Sequence, residues 1–433
     1  MNSPKKVKKY NTSSPAGMQE YMPQRAEELN HIKTKIKKVF DKWGYRPIIT
    51  PTLEYYENLK VGIGEKQKKK LYRLIDREGS ILALRPELTA PIARTVGRNV
   101  RDLNFPLRYY YSGPVFRHDE SQEGKSREIY QQGLELIGSN IGADAEVITI
   151  AIESLLSCGV EDFQIDIGHV GYIEGLLDYY HFSSSTKREI KKHLINRNIV
   201  GLRRYLEKLE KDFDLDQFED YLFLRGNREV LEKILHFRQK PIKKAYRELE
   251  QLYDFVDKLS LSGYLNFDLS LLRNFDYYTG VVFEAFATEL GYLLCGGGRY
   301  DNLIQKYSNY QLPAVGFAVG LERLMLVRRR SKDIINKKRV VTHLIYHKSL
   351  RREGLELLKF LQNKGKNVMR SECKINKKIN EKEIINKCKE NDIKEIYTLM
   401  KNEGNNKMVK KYLIQDKKVI TNEYVWEELI CQD

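Results

Sequence analysis

The chain has 433 residues, 41% of them hydrophobic and 31% charged, and its 75 basic against 59 acidic side chains give a net charge of +16. That length is too great for a single hydrophobic core and implies two or three domains, and the apolar content excludes a disordered chain. No run of about 18 apolar residues exists to cross a bilayer, and Lys5, Lys6, Lys8 and Lys9 precede no apolar stretch of the kind a signal peptide needs, so a cytoplasmic protein is expected.

Residues 1–20 are polar and read as a flexible N-terminus. Ile32, Ile36, Val39, Phe40 and Trp43 then recur at helical spacing on one face of a segment ending at Gly44. Apolar runs at Pro47 to Leu53 and Ile81 to Leu84 predict strands, and a helix is expected to begin near Pro91, where proline suits a first turn. Further strands are predicted at Leu107 to Tyr111, Val115-Phe116, Gly133 to Ile137 and Phe163 to Ile167; without regular helix alternation they imply a mixed, largely antiparallel sheet of six or seven strands.

From about 172 to 262 the pattern turns helical and highly charged, with Leu176, Leu202, Tyr205, Leu206, Leu222, Leu231 and Ile234 as inward candidates, and reads as a helical insertion. Strands return at Leu265 to Leu271 and around Val281 to Phe283, and Leu321 opens a helix. Beyond Arg328-Arg329-Arg330 a basic linker gives way to a second α/β unit over 332–433. Its predicted order is strand (Val340 to Tyr346), helix (Arg351 to Asn363), strand (Asn367 to Arg370), helix (Ile379 to Asn391), strands (Glu395 to Met400 and Tyr412 to Gln415) and helix (Tyr424 to Ile430). This unit holds 24 basic against 15 acidic residues, a surplus of nine that is compatible with a nucleic-acid face and equally with solvated lysines. The five cysteines Cys158, Cys295, Cys373, Cys388 and Cys431 are odd in number and scattered, so neither a disulfide framework nor a metal site is expected.

Four polar clusters stand at strand ends. They are Arg85-Pro86-Glu87-Leu88-Thr89, Phe116-Arg117-His118-Asp119-Glu120, the strand bearing Gln131, Gln132 and Glu135, and Arg273 to Tyr278. Gln131, Gly133 and Glu135 alternate onto one face, so Gln131 and Glu135 can serve one cavity. Two carboxylates (Glu87, Glu135), an amide (Gln131) and two phenols (Tyr277, Tyr278) suit an ammonium and an imidazole, while Arg117 and Arg273 suit carboxylate or phosphate oxygens. Each of these charges taken singly could be an ordinary surface ion pair; together they describe an amino-acid pocket beside an anion site.

These motifs resemble the class II aminoacyl-tRNA synthetase family, and within it the histidyl group. Phe116-Arg117 is similar to the arginine of the second class II motif, and Gly316-Phe317-Ala318-Val319-Gly320-Leu321-Glu322-Arg323 to the third. Arg273 to Tyr278 and Gly296 to Asp301 resemble the two histidine-specific motifs. The resemblance covers about residues 15–328. It implies an α+β class II fold for 21–328, with an antiparallel sheet, flanking helices and the insertion, and a histidine site of Glu87, Thr89, Arg117, Gln131, Glu135, Arg273, Tyr277 and Tyr278. If ATP binding is retained, the resemblance puts Arg117 and Arg323 on the nucleotide.

Two branches share that scaffold. Asp162 to Gly171, Gly175-Leu176-Leu177 and Arg225-Gly226-Asn227-Arg228-Glu229-Val230-Leu231 resemble the ATP phosphoribosyltransferase regulatory subunits, and the Asn-Pro-Leu-Arg-Ile-Leu-Asp segment usual in synthetases is missing. Leu88 stands where synthetases usually have glycine, and Asp119 and Lys125 where glutamate and arginine are usual. That branch implies no catalytic residue, no cofactor, feedback control by histidine in histidine biosynthesis, and a homodimer, formed through the first helix and strand, that joins a short-form ATP phosphoribosyltransferase catalytic subunit. The intact Arg273 and third motif, and a tail similar to an anticodon-binding domain, keep histidyl-tRNA synthetase open, with ATP, Mg2+ and tRNA as its ligands.

Overall fold

A computed structural model of the chain describes residues 13–118, 126–140, 142–209, 213–273, 275, 277–288, 291–330, 341–373, 393–402, 404–415 and 418–430. Asp119, Lys125, the helix expected at Ile379 to Asn391 and most of the expected N-terminal tail lie outside these residues. The chain divides into two units, Met1–Ile334 and Ile335–Asp433.

The first unit is built on a nine-stranded sheet. Its strands in chain order are β1 (Arg46–Pro47), β5 (Leu107–Phe116), β6 (Glu128–Ile137), β7 (Phe163–His169), β8 (Arg225–Gly226), β9 (Leu265–Asp268), β10 (Val281–Ala287), β11 (Leu293–Arg299) and β12 (Ala314–Gly320). The short strands β2 (Leu53–Tyr55), β3 (Arg73–Ile75) and β4 (Ile81–Leu84) form a separate sheet in the order β2-β4-β3. The order in the large sheet is β1-β5-β6-β12-β11-β10-β7-β9-β8. Its six long central strands are antiparallel, as the sequence leads one to expect. The additional edge strands are two to four residues long, and β1 and β9 pair in parallel. β9 falls within the strand expected at Leu265 to Leu271 and β1 touches the one expected from Pro47, whereas the two-residue β8 carries too little alternation to be seen in sequence.

Alternation decides which face each side chain joins. Leu134 and Leu136 of β6, Val315, Phe317 and Val319 of β12, and Val281, Phe283 and Ala285 of β10 are buried in the main core. That core also takes the apolar faces of the helices Pro23–Lys42 (Leu29, Ile32, Ile36, Val39, Phe40) and Ala143–Ser157. Their neighbours Gln131, Gly133, Glu135, Gly316, Ala318 and Glu284 take the opposite face, which is where polar groups are concentrated.

The insertion comprises the helices Val170–Tyr179, Ser184–Ile195, Ile199–Leu206, Leu215–Leu222 and Lys240–Lys258 and a 3-10 turn at Arg228–Ile234. Ser183 Oγ, Asn198 Oδ1 and Asp214 Oδ1 each accept a hydrogen bond from the first turn of their helices, at 3.2, 2.9 and 2.9 Å, which satisfies donors that a helix start leaves open. Leu176, Leu202, Leu206, Leu222, Leu231 and Ile234 are all buried, and Tyr205 packs half-buried beside them. They belong to the same apolar cluster as the sheet, so the insertion is continuous with the core.

The second unit has strands β13 (Val341–His347), β14 (Asn367–Cys373), β15 (Ile393–Lys401), β16 (Lys407–Gln415) and β17 (Lys418–Val425), ordered β14-β13-β15-β16-β17, with the helix Arg351–Asn363 and a short helix Trp426–Ile430. The strand β17 was absent from the expected order, and β16 starts at Lys407 rather than Tyr412. Lysines at 407, 410, 411 and 418 give both a solvated look; Lys407 and Lys410 in fact pair with Glu353 and Glu423.

Candidate binding cavity

The chain leaves β4 at Leu84 and turns into the helix Thr89–Asn99, two residues earlier than the proline suggests. Glu87 explains the early start. Its carboxylate accepts the N–H of Thr89 at 2.7 Å and of Ala90 at 2.8 Å, two donors of the helix's first turn. Arg85 is buried beneath, donating to the carbonyls of Thr50 and Pro114, so it is a strut rather than a ligand group.

Behind this turn lies a cavity of about 410 Å3. Of the expected residues, Glu87, Thr89, Arg117, Gln131, Arg273, Tyr277, Tyr278 and Arg323 all reach its wall. Glu135 stands one layer back. Thr89 Oγ1 donates to its Oε1 at 2.8 Å and the Tyr300 hydroxyl donates to its Oε2 at 2.5 Å. Burial pushes the Glu135 carboxyl up to about 8, against hydrogen bonds from Tyr300 and Thr89 that hold it down. Burial likewise raises Glu87 despite its two backbone donors. Neither carboxylate has an ion-pair partner among the described residues, and each oxygen of Glu87 keeps a lone pair for a further donor.

Three arginines also border the cavity, one of them, Arg117, beside Glu87. Arg273 Nη1 donates to Phe283 O at 2.8 Å and lies 3.4 Å from Glu284 Oε1, with its guanidinium 5.8 Å from the Tyr278 ring centroid. Arg117 Nε donates to Pro86 O at 2.8 Å, and its guanidinium stands 6.0 Å from the Phe275 ring. Arg323 Nη1 donates to Leu293 O at 3.0 Å. Tyr277 does two jobs at once. It is buried in the apolar cluster of Ile92, Val96 and Leu303, and it packs against Phe275, Tyr278 and Tyr300 at centroid distances of 5.2, 4.8 and 5.7 Å. Leu88 is buried in that cluster and also borders the cavity.

Sequence reasoning missed several wall residues. Tyr300 and Tyr111 are buried phenols that face the carboxylates, and Tyr300 adjoins Arg299, within a segment already singled out. Glu322 Oε1 accepts the Tyr130 N–H at 2.7 Å and the Tyr21 hydroxyl at 3.2 Å, so the segment before the first helix is tied to the cavity rim, where Gln19 and Arg25 stand. No local signal in the sequence reveals a contact between positions 301 residues apart. Gly296 of β11 and Gly316 of β12 form part of the floor, where absent side chains leave room.

The arrangement offers acceptors for an ammonium, aromatic rings and amide or phenol groups for a flat polar ring, and guanidinium donors for an anionic group. Its volume lies in the range of small-molecule sites.

The chain is similar to known proteins over most of its length. The family model described as histidyl-tRNA synthetase matches residues 17–324. The ATP phosphoribosyltransferase regulatory subunit of Halothermothrix orenii is 44% identical over 398 residues, covering 92% of this chain and 94% of that protein. A solved structure described as an ATP phosphoribosyltransferase regulatory subunit/histidyl-tRNA synthetase from Bacillus halodurans superimposes with a TM-score of 0.78 at 31% identity, over 90% of this chain and 99% of its own. The histidyl-tRNA synthetase of Nostoc sp. shares the fold at a TM-score of 0.79 and 23% identity, over 98% of both chains.

Proposed function

Because the chain belongs to the histidyl-tRNA synthetase family, and within it to the ATP phosphoribosyltransferase regulatory subunits, we propose that it serves as a non-catalytic regulatory subunit of ATP phosphoribosyltransferase in histidine biosynthesis and senses free histidine. The likeness to the H. orenii protein over nearly its whole length carries the first part of this reading. The cavity supports the second. Glu87 and Gln131 meet the ammonium and the tyrosines the imidazole, with Glu135 behind them, while Arg273 and Arg117 meet the carboxylate. Histidine acts at a distance only through a difference in affinity between two arrangements of the assembly.

The reading gives the chain no cofactor or metal of its own and a short-form ATP phosphoribosyltransferase catalytic subunit as its partner. No described helix is long and apolar enough to cross a membrane, in keeping with a cytoplasmic assembly. A homodimer is part of the proposal, with the first helix and the strand at Pro47 to Leu53 as its expected surface. The apolar face of the helix Pro23–Lys42 is consumed by the chain's own core. Ile49, Leu53, Tyr55, Leu74, Ile75 and Ile81, on and beside the β2-β4-β3 sheet, are instead exposed together, a patch of the kind that marks an interface.

The test is reconstitution with a short-form catalytic subunit. The mixture should form ATP phosphoribosyltransferase that histidine inhibits, and either subunit alone should be inactive. A second reading, histidine-tRNA ligase using ATP and Mg2+, is favoured by one observation: Arg117 and Arg323, the two arginines that would hold a nucleotide, both border the cavity. Histidine-dependent exchange of pyrophosphate into ATP decides between them, and brisk exchange would reverse the order.

A further inference from the structure

One carboxylate links the insertion to the cavity wall. Glu284 of β10 lies between two arginines. Its Oε1 is 3.4 Å from Arg273 Nη1, on the cavity, and its Oε2 accepts from Arg197 Nη2, on the insertion, at 2.7 Å. Arg273 Nε is buried with no hydrogen-bond partner among the described residues, so Arg273 is incompletely satisfied by the protein itself.

Arg197 holds its place against its backbone. It follows the helix Ser184–Ile195 with φ +52° and donates its N–H to Leu194 O at 2.9 Å, while Asn198 N–H donates to His193 O at 3.0 Å. This is the left-handed helix-ending position that glycine fills best. An arginine there keeps a side chain that the turn does not require, and that side chain is spent on Glu284 and on the Phe286 ring, 5.1 Å from its guanidinium. It also borders a second cavity, of about 320 Å3, on the far side of Leu271 and Leu272.

A carboxylate facing one guanidinium alone prefers a two-point, side-by-side pair. We propose that Arg197 is a positioning residue for the cavity: by engaging one oxygen of Glu284 it prevents that two-point pair on Arg273, and so leaves the Arg273 guanidinium available to the carboxylate of the bound amino acid. The inference rests on the histidine reading of the cavity given above. It makes the insertion a reporter of occupancy. Whatever moves the Arg197 turn changes ligand affinity, and by reciprocity the ligand biases that turn.

The test uses the full chain and two probes, histidine and histidinol, the alcohol that lacks the carboxylate. Dissociation constants are measured by calorimetry for wild type, Arg197→Gly, Glu284→Gln and the double variant. Glycine suits the φ of position 197, so the single variant should fold. Arg197→Gly should weaken histidine binding by about tenfold, the scale of one charge-assisted hydrogen bond, and change histidinol binding by less than about twofold. In the Glu284→Gln background the loss should vanish. An unchanged histidine constant, an equal loss for both probes, or a loss that persists beside Glu284→Gln overturns the inference while leaving the histidine reading intact. A wild-type chain that binds neither probe overturns both.

Discussion

Carboxylates occur in two settings in the first unit. In the cavity, Glu87 and Glu135 are buried and held only by N–H and hydroxyl donors. Elsewhere in the unit, three partly or fully buried acids each meet a cation. Asp144 takes a bidentate pair from Arg299 at 2.7 and 3.0 Å, Asp166 takes Arg225 at 2.9 Å, and Glu284 takes Arg197. The Glu284 and Asp166 strands even bring their like charges into register, and the insertion supplies an arginine to each. Acids that are internally neutralised hold parts together; buried carboxyls without an ion-pair partner are pushed toward their neutral form and gain from a cation supplied from outside.

The contrast is best broken at its strongest point. Arg299→Ala leaves Asp144 buried and unpaired and also frees Asp301, and should lower the unfolding free energy by about 3–5 kcal/mol in urea titrations. Glu87→Gln keeps the shape and removes the charge. Histidine binding should weaken by about ten- to a hundredfold in calorimetry, with a stability loss near 1 kcal/mol from the weakened helix start. If instead stability collapsed and affinity held, the cavity carboxylate would belong with the neutralised set.

Glu135 sharpens the distinction through pH. Its folded value of about 8 lies above the ordinary 4.5, so the stability it contributes is complete below about pH 4.5 and is lost as pH rises through about 8. Melting temperatures of wild type should therefore fall more steeply over that window than those of Glu135→Gln; parallel curves would refute a buried, protonated carboxyl. The smallest effect is expected at Arg225→Ala. That side chain is half-exposed, so the measured loss should stay below about 1 kcal/mol, even though Asp166 then relies on Asn266 alone at 2.7 Å.

Much of this was legible beforehand because strands and ligand groups obey period two. Gln131 and Glu135 share a face as the alternation requires, and four of the six long strands, β5, β6, β7 and β10, were signalled by their own apolar residues, whereas the glycine-rich β11 and β12 were not individually marked. Depth was not legible. Glu135 stands behind the wall because Thr89 and Tyr300, 46 and 165 residues away in the chain, close over it. The roles of Arg197 and Glu322 were equally hidden, since each is defined by a partner brought close only by the sheet. At the first cavity helix, proline marked the first turn correctly, and the carboxylate of Glu87 fixes the start at Thr89.

The glycine floor has a consequence for how such a pocket could be lost. A single methyl group at Gly316 would sit 1.7 Å from Glu135 Oε2, and one at Gly296 would sit 1.6 Å from Arg273 Nη1. Either replacement is reachable by one codon change, and either would force a polar side chain of the site, Arg273 or Glu135, out of its place. If the cavity is an amino-acid site, as proposed, either change is expected to abolish binding in a single step, which calorimetry on Gly296→Ala or Gly316→Ala would read.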